Sequence, residues 1–222
     1  MTNPSLTIKK DGIHEIVIKK SRFICTLARI NDEDHAKRLI AEVSKTNAKA
    51  THNCYAYLLG DDDHIQRESD NGEPSGTAGV PILEALKMNQ LHNVLSVVTR
   101  YFGGIKLGAG GLIRAYSNAT SSTIDSVGIV KLVLKRELII TIDYNQFDPL
   151  KYYLSTNEVP IERTDYGAQV QITVPVAENG LKEFQEEVIN LLSGNVTFKI
   201  GNDKIFEEPF SRDKREKTEH KK

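Results

Sequence analysis

The chain has 222 residues, 39% of them hydrophobic, and its 29 basic and 30 acidic residues give a net charge of -1. This length allows one large domain or two small ones, each with a packed core. The near-neutral balance excludes a uniformly basic surface that holds nucleic acid by charge alone, so any contact with a polyanion must be local.

Compartment and cofactor use are also constrained by the sequence. No apolar run is long enough to cross a membrane, and residues 1–10 lack the apolar segment of a signal peptide. We therefore expect a cytoplasmic protein without membrane contact. Cys25 and Cys54 both lie in strand-like apolar patterns, which favours buried reduced thiols over a disulfide. Because two cysteines alone cannot form a zinc site, we expect neither a metal nor a cofactor.

The first third of the chain alternates between strand and helix patterns. Residues 14–19 and 22–30 have strand composition. Asn31 is a plausible N-cap for an amphipathic helix that runs to about residue 45. Residues 51–59 and 64–68, separated by an acidic turn, predict a hairpin.

Residues 68–119 contain eight of the 15 glycines, in two clusters on either side of an apolar strand at 94–102. That strand is too hydrophobic to have one face in water, so it predicts the centre of a sheet. The first cluster, 69–81, leads into a short helix with Pro81 in its first position. The second, 103–111, opens a longer helix. Clustered glycines are typical of backbone with positive φ or in close approach to another group.

Two interpretations of the second glycine cluster are open. A strand, a glycine-rich loop and a helix N-terminus can present backbone amides to a phosphate. The spacing, however, matches neither a P-loop nor a dinucleotide-binding fingerprint. Residues 117–122 are unusually small, and close packing of the helix on the sheet explains part of the pattern without a ligand.

The second half of the chain predicts a separate domain. Its strands and helices follow the order β-α-β-β-α-β, the ferredoxin-like pattern. The predicted strands lie at 133–142, 159–164, 168–176 and 195–200, and the helices begin at Asp148 and Asn179. We place the domains at 1–130 and 131–206, followed by a charged tail at 207–222. The last twelve residues of this tail, from residue 211, include six basic and three acidic residues and no hydrophobic ones, which predicts disorder.

Four motifs, taken in order, resemble the YigZ/IMPACT family of small cytoplasmic proteins. They are Ser21-Arg22-Phe23, His52-Asn53-Cys54, the segment from Asp70 to Pro81, and the segment from Arg100 to Tyr116. The resemblance implies an α+β protein with an N-terminal domain of the ribosomal protein S5 domain 2-like fold. It also implies a ferredoxin-like C-terminal domain similar to those of elongation factor G. Asn71 departs from the family pattern, in which a second acidic residue often follows Asp70.

The functional implication of the resemblance is regulation of translation. Eukaryotic relatives resemble regulators that compete for an activator of a translation-initiation-factor kinase, whereas the bacterial members are largely uncharacterised. We therefore expect a non-enzymatic binding protein for RNA, the ribosome or a translation factor. The alternative is an enzyme that binds a phosphorylated small molecule at the glycine-rich loop, although the P-loop Lys-Ser/Thr pattern is missing.

The candidate ligand-binding or nucleic-acid-binding residues belong to the second glycine cluster and its flanks. They are Arg100, Lys106, Gly108, Gly110, Gly111 and Arg114, with weaker help from Lys19, Lys20 and Arg22. Residues predicted to support this site are His52, Asp70, Glu73 and Gly76. The alternative for the arginines is intramolecular, because Asp70 or Glu73 can pair with Arg100 or Arg114 and fix the two loops.

Other candidate residues have structural explanations. His52 has no second histidine at metal spacing, so a hydrogen-bonded strand residue is expected. Tyr55, Tyr57, Tyr101 and Phe102 can stack on bases or pack in the core. No His-carboxylate pattern accompanies Ser75 or Thr77, so we predict no catalytic residue.

Overall fold

The computed structural model describes residues 5–60 and 62–210 and divides the chain into two compact units. Among the described residues, the first unit consists of the chain up to Leu132 together with residues 207–210, and the second is Val133–Phe206. The described part is α+β, with ten strands and five α-helices. None of its helices has the length and apolar character needed to span a membrane.

The first unit is built on a five-stranded antiparallel sheet in the order β2-β3-β6-β4-β5. Its strands are β1 Ser5–Ile8, β2 Gly12–Ile18, β3 Ser21–Arg29, β4 His52–Leu59, β5 Ile65–Ser69 and β6 Val94–Tyr101. Its helices are α1 Glu33–Thr46, α2 Gly79–Met88 and α3 Ala109–Val127. Strand β1 lies outside this sheet and pairs with the first four residues of β7, Ile129–Ile142.

Strand β6 is the centre of the first unit, as the sequence predicts. Leu95 and Val97 pack in the cluster that contains Ala36 of α1, whereas Val94 and Val98 pack in the cluster formed with α2 and α3. Helix α1 therefore covers one face of the sheet, and α2 with α3 covers the other. A strand covered on both faces needs an unbroken apolar run, which explains the composition of β6.

The second unit has the predicted element order. From β7 the chain continues through α4 Phe147–Thr156, β8 Arg163–Tyr166, β9 Val170–Val176, α5 Leu181–Leu191 and β10 Thr197–Phe210. The strands are arranged β10-β7-β9-β8. A core that includes Leu138, Ile140, Leu150, Ile172 and Val188 closes this unit on its own.

Several boundaries differ from the sequence predictions. Asp32, rather than Asn31, caps α1, because its Oδ1 accepts the amide of His35 at 2.6 Å. The predicted strand at 159–164 begins only at Arg163, since Val159 and Ile161 reach the core from a loop and Pro160 has no amide to donate. Strand β10 continues through Glu207 to Phe210, four residues that we had placed in the tail. The rest of that predicted tail lies outside the described residues.

Candidate functional site

Asp70 fixes the first glycine loop. Its Oδ2 accepts the amide of Gly76 at 2.8 Å, and its Oδ1 accepts the amides of Ala78 and Gly79 at 2.9 Å. Although burial alone would raise the pKa of Asp70, these amide donors outweigh it and hold the pKa below its usual range. The carboxylate thus binds the start of α2, where the helix dipole also favours negative charge.

Glu73, from the same loop, is the acceptor in a buried polar cluster. Its Oε1 accepts from Nη1 of Arg100 at 2.5 Å and from the hydroxyl of Tyr116 at 2.9 Å. The Nε2 of His52 lies 3.8 Å away, while the Nδ1 of His52 is 2.9 Å from the carbonyl of Asn71. His52 is therefore a hydrogen-bonded strand residue, as expected. Glu73 connects the first glycine loop to β6 through Arg100 and to α3 through Tyr116.

Arg100 is not available to an external ligand. Only 5% of the residue is exposed, and its guanidinium lies 5.4 Å from the ring centre of Phe23 and 5.6 Å from that of Phe102. Arg100 therefore has the intramolecular role that the sequence offered as the alternative, and the prediction that Arg100 binds a phosphate is wrong. The reason is position: Arg100 lies on the sheet face covered by α2 and α3, and the apolar run of β6 does not show which of its side chains face those helices and which face α1.

Sequence reasoning missed the part that Tyr116 and Cys54 have in this cluster. The thiol of Cys54 lies 2.9 Å from the carbonyl of Asp70 and 3.4 Å from the hydroxyl of Tyr116. Burial raises the pKa of Cys54 to about 12, so the thiol stays protonated. Cys25 is also buried, and both thiols are free, as predicted. A signal was present, because a buried tyrosine needs a partner for its hydroxyl.

The second glycine cluster lies against the turn between β2 and β3. A Cβ on Gly103 would be 2.0 Å from the carbonyl carbon of Lys20, and the amide of Gly103 donates to Oγ of Ser21 at 3.2 Å. Only glycine permits this approach. The contact brings Lys19 and Lys20 beside a loop that is more than 80 residues away in sequence.

At the start of α3, the glycines have different causes. Gly108 has a φ of 71°, which favours glycine, and it is the N-cap residue. A Cβ on Gly111 would be 3.0 Å from Cβ of Leu107. Gly110, in contrast, is helical and has no atom within 4 Å of an added Cβ. Neither packing nor backbone conformation explains a glycine at 110.

Four cations surround this loop and remain unpaired within the described part of the chain. Lys19, Lys20, Lys106 and Arg114 are exposed, and none of them forms an ion pair there. Arg22 is different, because its guanidinium donates to both carboxylate oxygens of Glu15 at 2.8 Å. We use the term glycine-loop surface for Lys19, Lys20, residues 102–111 and Arg114.

The aromatic candidates divide between the core and this surface. Tyr57 is buried, with its hydroxyl donating to Glu33, and Tyr55 stacks on Tyr57. The hydroxyl of Tyr101 donates to Asn47. Phe102 alone of the four is largely accessible, at 47% exposure. It therefore is the aromatic side chain that the glycine-loop surface offers for stacking.

A cavity of about 250 Å³ lies beside the glycine-loop surface. It is lined by Ile18, Lys19, Leu107, Gly111, Arg114, Ala115 and Asn118.

Within residues 5–60 and 62–210, no three or more His, Cys, Asp or Glu side chains are grouped to hold a metal ion. Thr77 donates its hydroxyl to the carbonyl of Pro74.

Comparison with known proteins establishes the family. The Impact N-terminal domain matches residues 19–124, and the domain of unknown function DUF1949 matches residues 140–195. IMPACT family member YvyE of Bacillus subtilis is 43% identical over 201 residues, which are 90% of this chain and 93% of that protein. The chain belongs to the IMPACT family. The resemblance to YigZ/IMPACT proteins stated above is thus confirmed.

More distant family members support the same assignment. IMPACT family member YigZ of Escherichia coli is 32% identical over 181 residues, which are 81% of this chain and 89% of that protein. Protein IMPACT of Rattus norvegicus is 36% identical over 98 residues, which are 42% of this chain but only 30% of the rat protein. A crystal structure of a hypothetical protein superposes with a TM-score of 0.57 at 30% identity, covering 89% of this chain and 97% of the other.

Proposed function

We propose that this IMPACT family protein binds RNA through the glycine-loop surface and regulates translation. The observation that carries the proposal is the convergence of Lys19, Lys20, Lys106 and Arg114 on one loop without intramolecular partners. Several cations grouped on one surface create a local positive potential, and Lys and Arg side chains supply many of the contacts that proteins make to phosphates. Ribosome contact follows from the same chemistry, because the ribosomal surface is largely RNA.

Two further features of this surface suit RNA better than a free anion. Phe102 is exposed beside the cations, and an aromatic ring stacks on any base without regard to sequence. Ile105 and Ile113 are each 42% exposed on the same loop and helix. With a net charge of -1, the chain has no global field to attract a polyanion, so affinity depends on this local group.

The regulatory part of the proposal comes from the family. Its eukaryotic members include proteins named IMPACT, and the resemblance described above implies control of translation. The match covers only 30% of the rat protein, so the proposal does not include the activity of that whole protein. What is proposed for this chain is a contact with RNA or the ribosome, in the cytoplasm.

The experiment is a pull-down of the full chain from cell lysate with and without ribonuclease, followed by direct titration with single-stranded RNA. We expect recovery of ribosomal or other RNA that Arg114→Ala reduces. The matched control is Arg38→Ala, which removes an exposed arginine from α1 on the opposite sheet face. If one protein is captured whether or not ribonuclease is present, and the titration shows no RNA affinity, the partner is a protein and the RNA proposal is wrong.

The second candidate is an enzyme that acts on a phosphorylated small molecule. The cavity beside the glycine-loop surface favours it, because a pocket rather than an open groove suits a small ligand. Turnover of a phosphorylated substrate that is lost in Arg114→Gln would support this function. A phosphate ligand that binds without being converted would exclude it.

A further inference from the structure

We propose that the cavity next to the glycine-loop surface holds the terminal phosphate monoester of its ligand. The inference rests on the proposed function, because it names the group of an RNA that this surface selects. The cavity is bounded by three elements: the β2–β3 turn with Lys19, the loop with Leu107, and the first turns of α3 with Arg114. A ligand there would contact parts of the chain that are distant in sequence.

The charges of the cavity match a dianion. Lys19 and Arg114 each supply one positive charge, and no acidic side chain lines the cavity among the described residues. A phosphate monoester carries close to two negative charges at pH 7, whereas a phosphodiester within an RNA strand carries about one. Two unpaired cations in one cavity therefore favour the terminal group over the backbone.

The remaining lining residues fit the same ligand. The Oδ1 of Asn118 accepts a hydrogen bond from Oγ of Ser122. The Nδ2 of Asn118 can therefore donate to a phosphate oxygen in the cavity. Ile18, Leu107 and Ala115 form apolar walls, which exclude water and strengthen hydrogen bonds to a charged group. The volume of about 250 Å³ is several times the roughly 30 Å³ of one water molecule, so a phosphate fits.

The residue types in the turn are not explained by the fold. Lys19 and Lys20 have φ of 46° and 65°, in the left-handed region. A two-residue hairpin turn of this kind prefers Asn-Gly, and other side chains are strained there. Lysines therefore occupy two positions at which the backbone favours other residues. A ligand that pairs with Lys19 in the cavity accounts for a lysine at position 19.

The test compares one RNA sequence with a 5′-phosphate, a 3′-phosphate or hydroxyls at both ends, using fluorescence titration. We expect one phosphorylated form to bind about tenfold more tightly than the hydroxyl form, the size of one charge-assisted contact. Arg114→Gln and Lys19→Asn should abolish that preference, and asparagine tolerates the backbone conformation at 19. Arg38→Gln is the matched control, and melting temperatures check that each variant folds. Arg114→Lys, which keeps the charge, should retain most of the preference.

Inorganic phosphate and a nucleoside monophosphate separate the possible outcomes. Either ligand should shift the amide resonance of Gly111 in the native protein and not in Arg114→Gln. RNA that binds equally well with every type of end would overturn the cavity inference while leaving the proposed function intact. Binding of the monophosphate without RNA affinity would support the cavity but contradict the RNA proposal. No response to any phosphate monoester would overturn the inference.

Discussion

Arg100 and Arg114 belong to the same motif but lie in opposite environments. Arg100 is 5% exposed and paired with Glu73, whereas Arg114 is exposed and lines a cavity. A buried ion pair contributes little net stability, yet removing one partner leaves the other charge unmatched in a medium of low dielectric. Burial thus makes Glu73 and Arg100 structural residues, and of these two arginines only Arg114 is accessible for the proposed binding role.

Replacing Glu73 by glutamine should destabilise the protein by about 3 kcal/mol, because the buried guanidinium of Arg100 loses its counter-charge. The free energy of unfolding in denaturant measures the loss. Glu84→Gln is the control, since the pair between Glu84 and Lys87 is exposed and its removal should cost less than about 1 kcal/mol. Equal losses in the two variants would contradict the assignment of Glu73.

Arg114→Ala should change the unfolding free energy by no more than about 0.5 kcal/mol, since an exposed side chain without an ion pair has little to lose. This differs from the intramolecular alternative raised by the sequence, in which Arg114 pairs with Asp70 or Glu73 and its removal would cost about 3 kcal/mol. Denaturant unfolding of Arg114→Ala decides between them. A loss of that larger size would mean that Arg114 has an intramolecular partner in solution.

Asp70 should contribute to the pH dependence of stability. Its pKa is lower in the folded protein than in the unfolded chain, so its contribution is complete above the unfolded pKa of about 3.9. It is lost as the pH falls through the lower, folded pKa. Asp70→Asn should therefore be less stable than the native protein at neutral pH and lose less stability on acidification. Denaturant titrations at several pH values measure this, and Asp125→Asn, an exposed change on α3, should retain the native slope.

At the scale of elements, the sequence predicts what depends on local pattern and misses what depends on packing. The apolar run of β6, the periodicity of α3 and the ferredoxin-like order of the second half are local signals, and all are confirmed. Strand β8 begins later than predicted, because Val159 and Ile161 pack from a loop. From the sequence, the pair between Glu73 and Arg100 is one of several possible pairs between the two acidic residues and the two arginines. Choosing the correct pair requires knowing which sheet face α3 covers.

The glycines at 103 and 110 should respond oppositely to alanine. Gly103→Ala places a Cβ against the backbone of Lys20 and should destabilise the protein. Gly110→Ala meets open space within a helix and should stabilise it by about 0.5–1 kcal/mol. If RNA approaches the α3 backbone, Gly110→Ala should also weaken RNA binding. Melting temperature and RNA affinity measured on both variants test this. A Gly110→Ala variant that is more stable and binds RNA normally would show that Gly110 does not contact the RNA.

For the whole molecule, the division into two units predicts independent folding of the second. Residues 133–206 contain a complete β-α-β-β-α-β pattern with its own core. The expressed fragment should protect the amides of β7 and β9 from exchange and should lack RNA affinity, because the glycine-loop surface belongs to the first unit. An unfolded fragment, or one with the full RNA affinity of the chain, would contradict this division.

The proposed RNA binding depends on a local set of cations in a chain whose net charge is -1. Its most direct test is the RNA affinity of Lys106→Ala at several salt concentrations. Each cation on a phosphate releases condensed counterions, so the variant should bind more weakly and its salt slope should fall by roughly one unit. Lys106 is exposed, so the melting temperature should not change, and Lys182→Ala in α5 is the control. Unchanged affinity and slope in a stable Lys106→Ala variant, or no RNA binding by the native chain, would contradict RNA binding through the glycine-loop surface.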